Sequence, residues 1–203
     1  MPEKYPPTRI SEMLEGKAAI DALTPTWEDI VTMTRRLGNM ILRDCHHTPP
    51  NQVYSIMGVL PRGGYFPANL IARPFGFESD KLWHMSLKSY KEEGRERGAE
   101  FTYGQMPNLS DIEGHSVLVM DEVCDSGYTL AEAERLLTED LGAASVKSAV
   151  LHYKPTLSEN GFVPDFYVET TDKWIVYPWE VYEILGPSSL NERLWRPGRI
   201  IPE

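Results

Sequence analysis

Short runs of apolar residues occur along the middle of the chain at 53–59 and 116–120, and each has the length of one β-strand. Further strands are predicted near residues 81–87, 146–153 and 166–170, which combine apolar with polar residues. An apolar run of this length without polar alternation is typical of a strand that is buried on both faces. The run Ser-Val-Leu-Val-Met at 116–120 is the clearest of them. The pattern therefore predicts a sheet whose strands are covered on both sides.

A helix is predicted from Thr26 onwards. The Thr26 hydroxyl can cap a helix, and two acidic residues follow in the expected first turn, where they favour the helix dipole. The apolar positions then recur every three to four residues, as they do along one helix face: Ile30, Met33, Thr34, Leu37, Met40 and Ile41. We expect this helix to end before His46.

Further helices are predicted between the apolar runs. They are expected at residues 66–75 and 129–141, with Gly142 as the stop signal of the second, and a short one is expected at 10–23. Strands that alternate with helices predict an α/β fold with a central parallel sheet flanked by helices.

Three stretches lack a pattern that would bury them in the core. Residues 1–25 are rich in Pro, Glu and Lys and are expected to form an N-terminal arm, and residues 187–203 are expected to form an extended tail. Residues 88–105 are dense in charge and are expected to form a mobile loop or an exposed hairpin. The main domain is therefore predicted to span residues 26–186.

Composition narrows the function classes. With 203 residues and 41% hydrophobic content, the chain can build one compact α/β domain. A net charge of -10 disfavours general nucleic-acid binding, because such a surface repels a phosphate backbone. Two cysteines cannot supply a disulfide framework or a cysteine-based zinc site. No apolar run approaches the length of a membrane span, so we expect a protein of the cytoplasm that binds no membrane.

The segment 117–130 carries the most specific candidate chemistry; it reads Val-Leu-Val-Met-Asp-Glu-Val-Cys-Asp-Ser-Gly-Tyr-Thr-Leu. A buried strand delivers Asp121 and Glu122 to the carboxyl end of the sheet, where ligands bind in open α/β folds. The loop that follows opens directly into a helix, and backbone N–H groups at a helix start form a site for phosphate. A carboxylate pair for a sugar diol or metal beside a phosphate cradle fits ribose 5-phosphate.

This segment resembles the signature of type I phosphoribosyltransferases, which bind phosphoribosyl pyrophosphate (PRPP). The resemblance implies the fold of that family, with a flexible loop or hairpin and a small base-binding hood. It also implies roles for single residues. Asp121 and Glu122 bind the ribose hydroxyls, directly or through magnesium, and Asp125 acts near N7 of the base as a general base. The 5′-phosphate is held by Asp125, Ser126, Gly127, Tyr128 and Thr129.

Two upstream segments are similar to other parts of the family. The sequence Gly-Val-Leu-Pro-Arg-Gly-Gly at 58–64 resembles the pyrophosphate loop, in which Arg62 and Gly63 bind the leaving group. An arginine beside glycines suits this role, because a guanidinium binds phosphate oxygens and the bare backbone comes close. Ser89 and Tyr90 resemble the Ser-Tyr pair of the family's catalytic loop, although a merely solvated loop explains these two residues equally well.

The C-terminal third is similar to 6-oxopurine enzymes, and most closely to the bacterial xanthine-guanine type. In this resemblance residues 154–180 bind the base: Lys154 donates to O6, Trp174 stacks on the purine ring and backbone groups of Ile175 read the base edge. Glu180 would hold Mg²⁺, together with Asp121 and Glu122. The implied substrates are PRPP and a purine nucleobase. The implied assembly is a homodimer or a homotetramer.

Three alternatives stay open at this point. The first is a phosphoribosyltransferase for adenine, orotate, uracil or another base, against which Lys154 and Trp174 argue. The second is a regulator that keeps the fold as a PRPP sensor, against which the acidic charge and the absence of a helix-turn-helix pattern argue. The third is a nucleotide hydrolase or an unrelated nucleotide binder. His46, His47 and His84 lack the spacing of a metal site, and His115 and His152 are expected to be structural.

Overall fold

The computed structural model describes residues 22–89 and 101–180 and, by their backbone alone, residues 195–196 and 199–200. The chain divides into two compact units. The larger contains residues 29–172, and the smaller combines residues 1–28 with residues 173–203. The predicted helix at 10–23 lies outside the described residues except for its last two positions, which form a strand.

The described helices and strands follow one another in an alternating order. The helices are α1 (Trp27–His47), α2 (Tyr65–Ala72), α3 (Leu109–Ile112) and α4 (Tyr128–Arg135), which continues as a π-helical turn over Leu136–Asp140. Short 3-10 turns cover Pro50–Gln52 and Ser79–Lys81. The strands are β1 (Ala22–Leu23), β2 (Ile56–Val59), β3 (Leu82–His84), β4 (Leu87–Ser89), β5 (Phe101–Tyr103), β6 (Ser116–Met120), β7 (Val123–Cys124), β8 (Ser145–Tyr153), β9 (Phe166–Thr170), β10 (Trp174–Ile175), β11 (Trp195–Arg196) and β12 (Arg199–Ile200).

A six-stranded parallel sheet forms the centre of the larger unit. Its strands run in the order β3–β2–β6–β8, while β9 and the short β7 also pair with β8. All of these pairings are parallel, and Met57 lies opposite Leu118, which in turn lies opposite Lys147. The predicted α/β fold with a central parallel sheet is therefore confirmed, and β6 and β9 have the predicted bounds.

The core of the larger unit is built from the predicted apolar positions. All five residues of β6 and all four of β2 are buried. Helix α1 buries the face that its spacing predicts: Ile30, Met33, Thr34, Leu37 and Ile41. Burial of this continuous apolar surface is the main favourable term in the stability of the sheet, at roughly 25 cal/mol per Å².

Several element boundaries differ from the predicted ones, since α2 ends at Ala72 rather than at 75 and β2 begins at Ile56 rather than at 53. Helix α1 continues through His46 to His47, because no helix breaker precedes Pro49 and a basic side chain is favourable in the last turn. Thr48 then closes the helix, since its hydroxyl donates to the carbonyl of Asp44 at 2.8 Å.

The expected strand at 81–87 is divided into β3 and β4. The N–H of Met85 still donates to Val59 O in the sheet, but the N–H of Ser86 donates to Gln105 O. Strand β4 therefore leaves the sheet and pairs antiparallel with β5. This antiparallel pairing agrees with the hairpin that was one of the two expectations for residues 88–105, of which residues 90–100 lie outside the described part of the chain.

Candidate active site

The carboxyl ends of β2 and β6 bring two functional segments side by side. Val59 and Met120 are paired at the ends of these strands, and the N–H of Leu60 donates to Met120 O at 3.0 Å. The segment with Arg62 and Gly63 leaves β2, and the segment with Asp121 leaves β6. The parallel sheet therefore places the two sequence motifs at one edge, as expected for a ligand site in this class of fold.

The two adjacent acids are held by their backbone. The N–H of Asp121 donates to Ala149 O at 3.1 Å, and the carbonyl of Glu122 accepts from Leu151 and His152, also at 3.1 Å. The N–H of Glu122 donates to Asp121 Oδ1 at 2.8 Å. Burial, followed by the negative charge of Glu122, raises the pKa of Asp121 well above its usual range. The backbone therefore fixes both carboxyl groups in place, and a bound cation would favour the ionised form of Asp121.

Glycine is required in the first loop by close packing. A side chain at position 63 would overlap the carboxylate of Glu122, and one at position 64 would lie 2.7 Å from Met120 O. The peptide bond before Arg62 is cis, and the Arg62 side chain is exposed. The sequence resemblance placed these glycines in a pyrophosphate loop. The structure shows that they also let the backbone of this loop pack against Asp121 and Glu122.

The second loop has the geometry of an anion cradle. Gly127 has a φ of 85°, which glycine adopts without strain, and helix α4 begins at the next residue. Among residues 22–89 and 101–180, no acceptor binds the N–H groups of residues 126–129. Such N–H groups, together with the positive end of the helix, favour a bound phosphate. The predicted residues are half-buried: Ser126 lies in this loop, and Tyr128 and Thr129 lie in the first turn of α4.

Asp125 and Lys154 come together although they are 29 positions apart in sequence. Strand β7 pairs with the end of β8, and the N–H of Lys154 donates to Cys124 O at 2.9 Å. Lys154 Nζ consequently lies 3.9 Å from Asp125 Oδ1, and Lys154 is 5% exposed. Asp125 Oδ1 accepts no hydrogen bond from the described residues. The pair presents a cation and a carboxylate next to the anion cradle.

Magnesium fits the chemistry of this donor set. Asp121 and Glu122 are hard carboxylate ligands, and a cation would relieve the repulsion that raises the pKa of Asp121. Residues 22–89 and 101–180 contain no cluster of three acidic, histidine or cysteine residues that could hold a metal alone. Mg²⁺ usually needs only one or two carboxylates, since substrate oxygens and water complete its shell.

The smaller unit contains the other predicted base-binding residues. Strands β1 and β10 pair in parallel, with Ala22 opposite Trp174 and Leu23 opposite Ile175. Trp174 is 59% exposed, whereas Ile175 is buried. Nothing in the sequence signalled that the N-terminal arm pairs with the base-binding segment.

Glu180 and Trp179 are engaged within the same unit. Glu180 Oε2 accepts from the N–H of Tyr177 at 2.9 Å. The ring of Trp179 stacks on Tyr177 at 4.6 Å and lies 5.7 Å from Trp27. Trp179 therefore packs among aromatic rings, and the metal role of Glu180 stays a prediction.

The remaining predicted residues have mixed outcomes. Ser89 ends β4, and Tyr90 lies outside the described residues, so the loop role of this pair stays a prediction. His115 Nδ1 lies 2.9 Å from Ser55 Oγ. His152 is fully buried, and burial lowers its pKa to about 4, so it is neutral at pH 7. These two histidines are structural, as expected.

Sequence reasoning missed the segment of residues 158–162, which packs on the loop that contains Gly127. It gave these residues no role, yet Asn160 Oδ1 and Phe162 Cβ lie where a side chain at Gly127 would be. No local pattern could have indicated this contact, because it joins residues 33 and 35 positions apart.

Comparison with known proteins agrees with this geometry. The model of the phosphoribosyl transferase domain matches residues 32–183. In the described part of the chain, no helix is both long and apolar enough to cross a bilayer.

Three similar proteins illustrate the match. The xanthine-guanine phosphoribosyltransferase of Gluconobacter oxydans is 26% identical over 167 residues, which cover 81% of this chain and 88% of that protein. The enzyme of the same name from Cereibacter sphaeroides is 26% identical over 134 residues, covering 66% of this chain and 73% of that protein. The crystal structure of a purine phosphoribosyltransferase from Pyrococcus horikoshii is 27% identical with a TM-score of 0.62, covering 79% of this chain and 95% of that one.

Proposed function

The chain belongs to the phosphoribosyl transferase domain family and is a pentosyltransferase, and we propose that it transfers ribose 5-phosphate from PRPP to a 6-oxopurine base. The observation that carries this proposal is the pair formed by Asp125 and Lys154, 3.9 Å apart beside the phosphate loop. On a 6-oxopurine, N7 and the C6 oxygen lie side by side on one edge of the ring. A carboxylate facing N7 and an ammonium facing O6 complement that edge.

Lys154 supplies the selection against adenine in this proposal. An ammonium group only donates hydrogen bonds, so it pairs with the acceptor O6 and not with the amino group that adenine carries at C6. Burial of Lys154 strengthens this selection, because a buried donor facing another donor loses its hydrogen bond without replacement by water. The names of the relatives from Gluconobacter and Cereibacter support a 6-oxopurine as well.

PRPP would lie along the edge formed by the two loops. The N–H groups of residues 126–129 would bind the 5′-phosphate, and Arg62 with the backbone of Gly63 would bind the pyrophosphate. Asp121 and Glu122 would bind the 2′- and 3′-hydroxyls of the ribose. All of these residues lie in the larger unit, at the carboxyl edge of its sheet.

The proposed mechanism is mainly electrostatic. Breaking the bond between C1 and pyrophosphate builds positive charge on the ribose ring, which Asp121 and Glu122 would stabilise. Asp125 would accept the proton that the base loses at its imidazole ring. Mg²⁺, held by Asp121, Glu122 and, in the proposal, Glu180, would neutralise charge on the leaving pyrophosphate. No covalent intermediate is needed, and burial raises the pKa of the Cys124 thiol to about 12, so it is no nucleophile at pH 7.

The other residues of the base site rest on the resemblance alone. Trp174 would stack on the purine, and Ile175 would read the base edge through its backbone. We also expect a homodimer or homotetramer that is active in the cytoplasm and binds neither nucleic acid nor membrane.

A pyrophosphate-release assay tests the proposal. PRPP and Mg²⁺ are supplied with hypoxanthine, guanine, xanthine, adenine, orotate or uracil in separate reactions. We expect release only with one or more of the first three bases. Release only with adenine or a pyrimidine would overturn the roles of Lys154 and Trp174. Binding of PRPP without release would overturn catalysis and favour a PRPP sensor.

A further inference from the structure

The turn of residues 158–162 packs directly on the phosphate loop. The N–H of Glu159 donates to Ser126 O at 3.1 Å. Asn160 Oδ1 and the Cβ of Phe162 occupy the space beside the α-carbon of Gly127, and a Cβ on Gly127 would lie 2.8 Å from that of Phe162. Glu159 therefore forms a hydrogen bond to the loop, and Asn160 and Phe162 fill the space beside Gly127.

The orientation of the Asn160 amide is set by the turn itself. The N–H of Phe162 donates to Asn160 Oδ1 at 3.1 Å, and the hydroxyl of Ser158 donates to Phe162 O at 2.9 Å. Gly161 has a φ of 72°, which allows the chain to reverse. Since a backbone N–H requires an acceptor, the oxygen of the Asn160 amide faces Phe162, and the nitrogen faces away from it.

This arrangement leaves two donors beside the phosphate cradle. Among the described residues, no hydrogen bond is recorded for Asn160 Nδ2, and the side chain is exposed. The Cγ atom that carries this nitrogen lies 3.3 Å from the position that a Cβ of Gly127 would take, so the nitrogen lies beside the loop of residues 126–129. A phosphate dianion offers three oxygens, more than the backbone of a short loop usually saturates, and amide donors bind such oxygens well.

We propose that Asn160 is a further phosphate-binding residue, whose Nδ2 donates to the 5′-phosphate of the substrate while its Oδ1 holds the loop at Gly127. The inference rests on the proposed function, because it uses the same phosphate cradle. It adds a residue from outside the signature segment. It also gives a function to the tight turn of residues 158–162.

Two variants separate binding from mere support of the loop. Asn160→Asp keeps the oxygen that accepts from Phe162 but replaces the donating nitrogen by an oxygen that repels phosphate. Asn160→Ala removes both groups. Val163→Ala is the control, because Val163 is 57% exposed in the same segment and carries no charge.

The first readout is the affinity for ribose 5-phosphate, measured by calorimetry, and the second is the KM for PRPP. We expect Asn160→Asp to lower the affinity for ribose 5-phosphate and to raise the KM for PRPP, each by roughly tenfold or more, since a hydrogen bond to a charged group is lost. Asn160→Ala should change the affinity and the KM by a similar factor, and Val163→Ala should leave both unchanged. Thermal unfolding checks that all three variants fold.

The outcomes distinguish this inference from the proposed function. Normal ribose 5-phosphate affinity in Asn160→Asp, with a defect only in Asn160→Ala, would show loop support and overturn phosphate binding by Asn160. Normal affinity in both variants would overturn the whole inference, even if the enzyme turns over 6-oxopurines. If no base is turned over but Asn160→Asp binds ribose 5-phosphate weakly, the proposed function fails and this inference stands.

Discussion

The α-carbon of Gly63 lies against the carboxylate of Glu122, so that the loop after β2 and the acids after β6 share one packing contact. The contact joins the ends of two neighbouring strands. It leaves no room for a side chain at position 63. It also places the backbone of the loop beside the carboxylate at which Mg²⁺ is proposed to bind.

Gly63→Ala tests this contact. The added methyl group overlaps the Glu122 carboxylate, which must turn away from its position. We expect kcat/KM for PRPP to fall on the order of a hundredfold, because a misplaced catalytic group is costly. Steady-state kinetics measure the effect. The control is Gly38→Ala, whose new Cβ meets only the ring of Phe75 at 3.6 Å, and which should keep full activity and gain up to about 1 kcal/mol of helix stability.

Asp125→Asn should lower turnover and leave PRPP binding largely intact. The amide keeps the shape of the side chain but accepts no proton, and proton transfer contributes on the order of a hundredfold or more. We expect kcat to fall by about this factor while the KM for PRPP stays within about threefold. Asp172→Asn is the control, because Asp172 is exposed and its carboxylate accepts from the N–H of Thr156 at 3.3 Å, a backbone group away from Asp125. Unchanged turnover would remove Asp125 from the mechanism.

Lys154→Gln should reduce the discrimination between 6-oxopurines and adenine. The shorter amide can present either a donor or an acceptor to the C6 substituent, whereas the ammonium only donates. We expect kcat/KM for 6-oxopurines to fall roughly tenfold to a hundredfold, with a smaller loss or a gain for adenine. Competition assays with paired bases measure the ratio.

Lys147→Gln provides the matched control for the loss of a lysine charge. Lys147 pairs with Asp44 at 2.6 Å, in the larger unit but away from the phosphate loop. This variant should lose some stability and keep the base preference of the parent. If both lysine variants keep that preference, Lys154 does not select the base.

Glu134 is expected to make the protein less stable as the pH rises. Burial, with a smaller contribution from the charge of Asp165, raises the pKa of Glu134 to about 7, against an ordinary value of 4.5. The folded state therefore binds a proton more tightly than the unfolded state. Stability from this group is present below pH 4.5 and is lost as the pH rises through about 7.

Chemical unfolding of Glu134→Gln between pH 5 and pH 8 measures this effect. The neutral amide cannot ionise, so the variant should lose less stability than the parent over this interval. Glu78→Gln is the control, because Glu78 is exposed and has no side-chain cap bond. An identical pH dependence in the parent and Glu134→Gln would contradict the expected ionisation of Glu134.

The local sequence pattern was sufficient to predict the parallel sheet and the loop that follows β6. Strand β6 begins and ends where its apolar run does, because a strand buried on both faces excludes polar residues along its whole length. The loop after β6 was predictable for a similar reason. Its acids, its glycine and the helix that follows are consecutive in the chain, so their relative positions depend on local geometry.

The tertiary structure decided the contacts that join distant segments. Pairing of β7 with β8 brings Lys154 to Asp125, packing of two loops puts Gly63 on Glu122, and the turn at Asn160 closes on Gly127. The same holds for β1, which pairs with β10, and for the division of residues 81–87 between the sheet and the hairpin. The sequence determined which chemical groups are present and where each strand ends. Which of these groups meet depends on sheet order and close packing, and a periodicity along one segment carries no information about either.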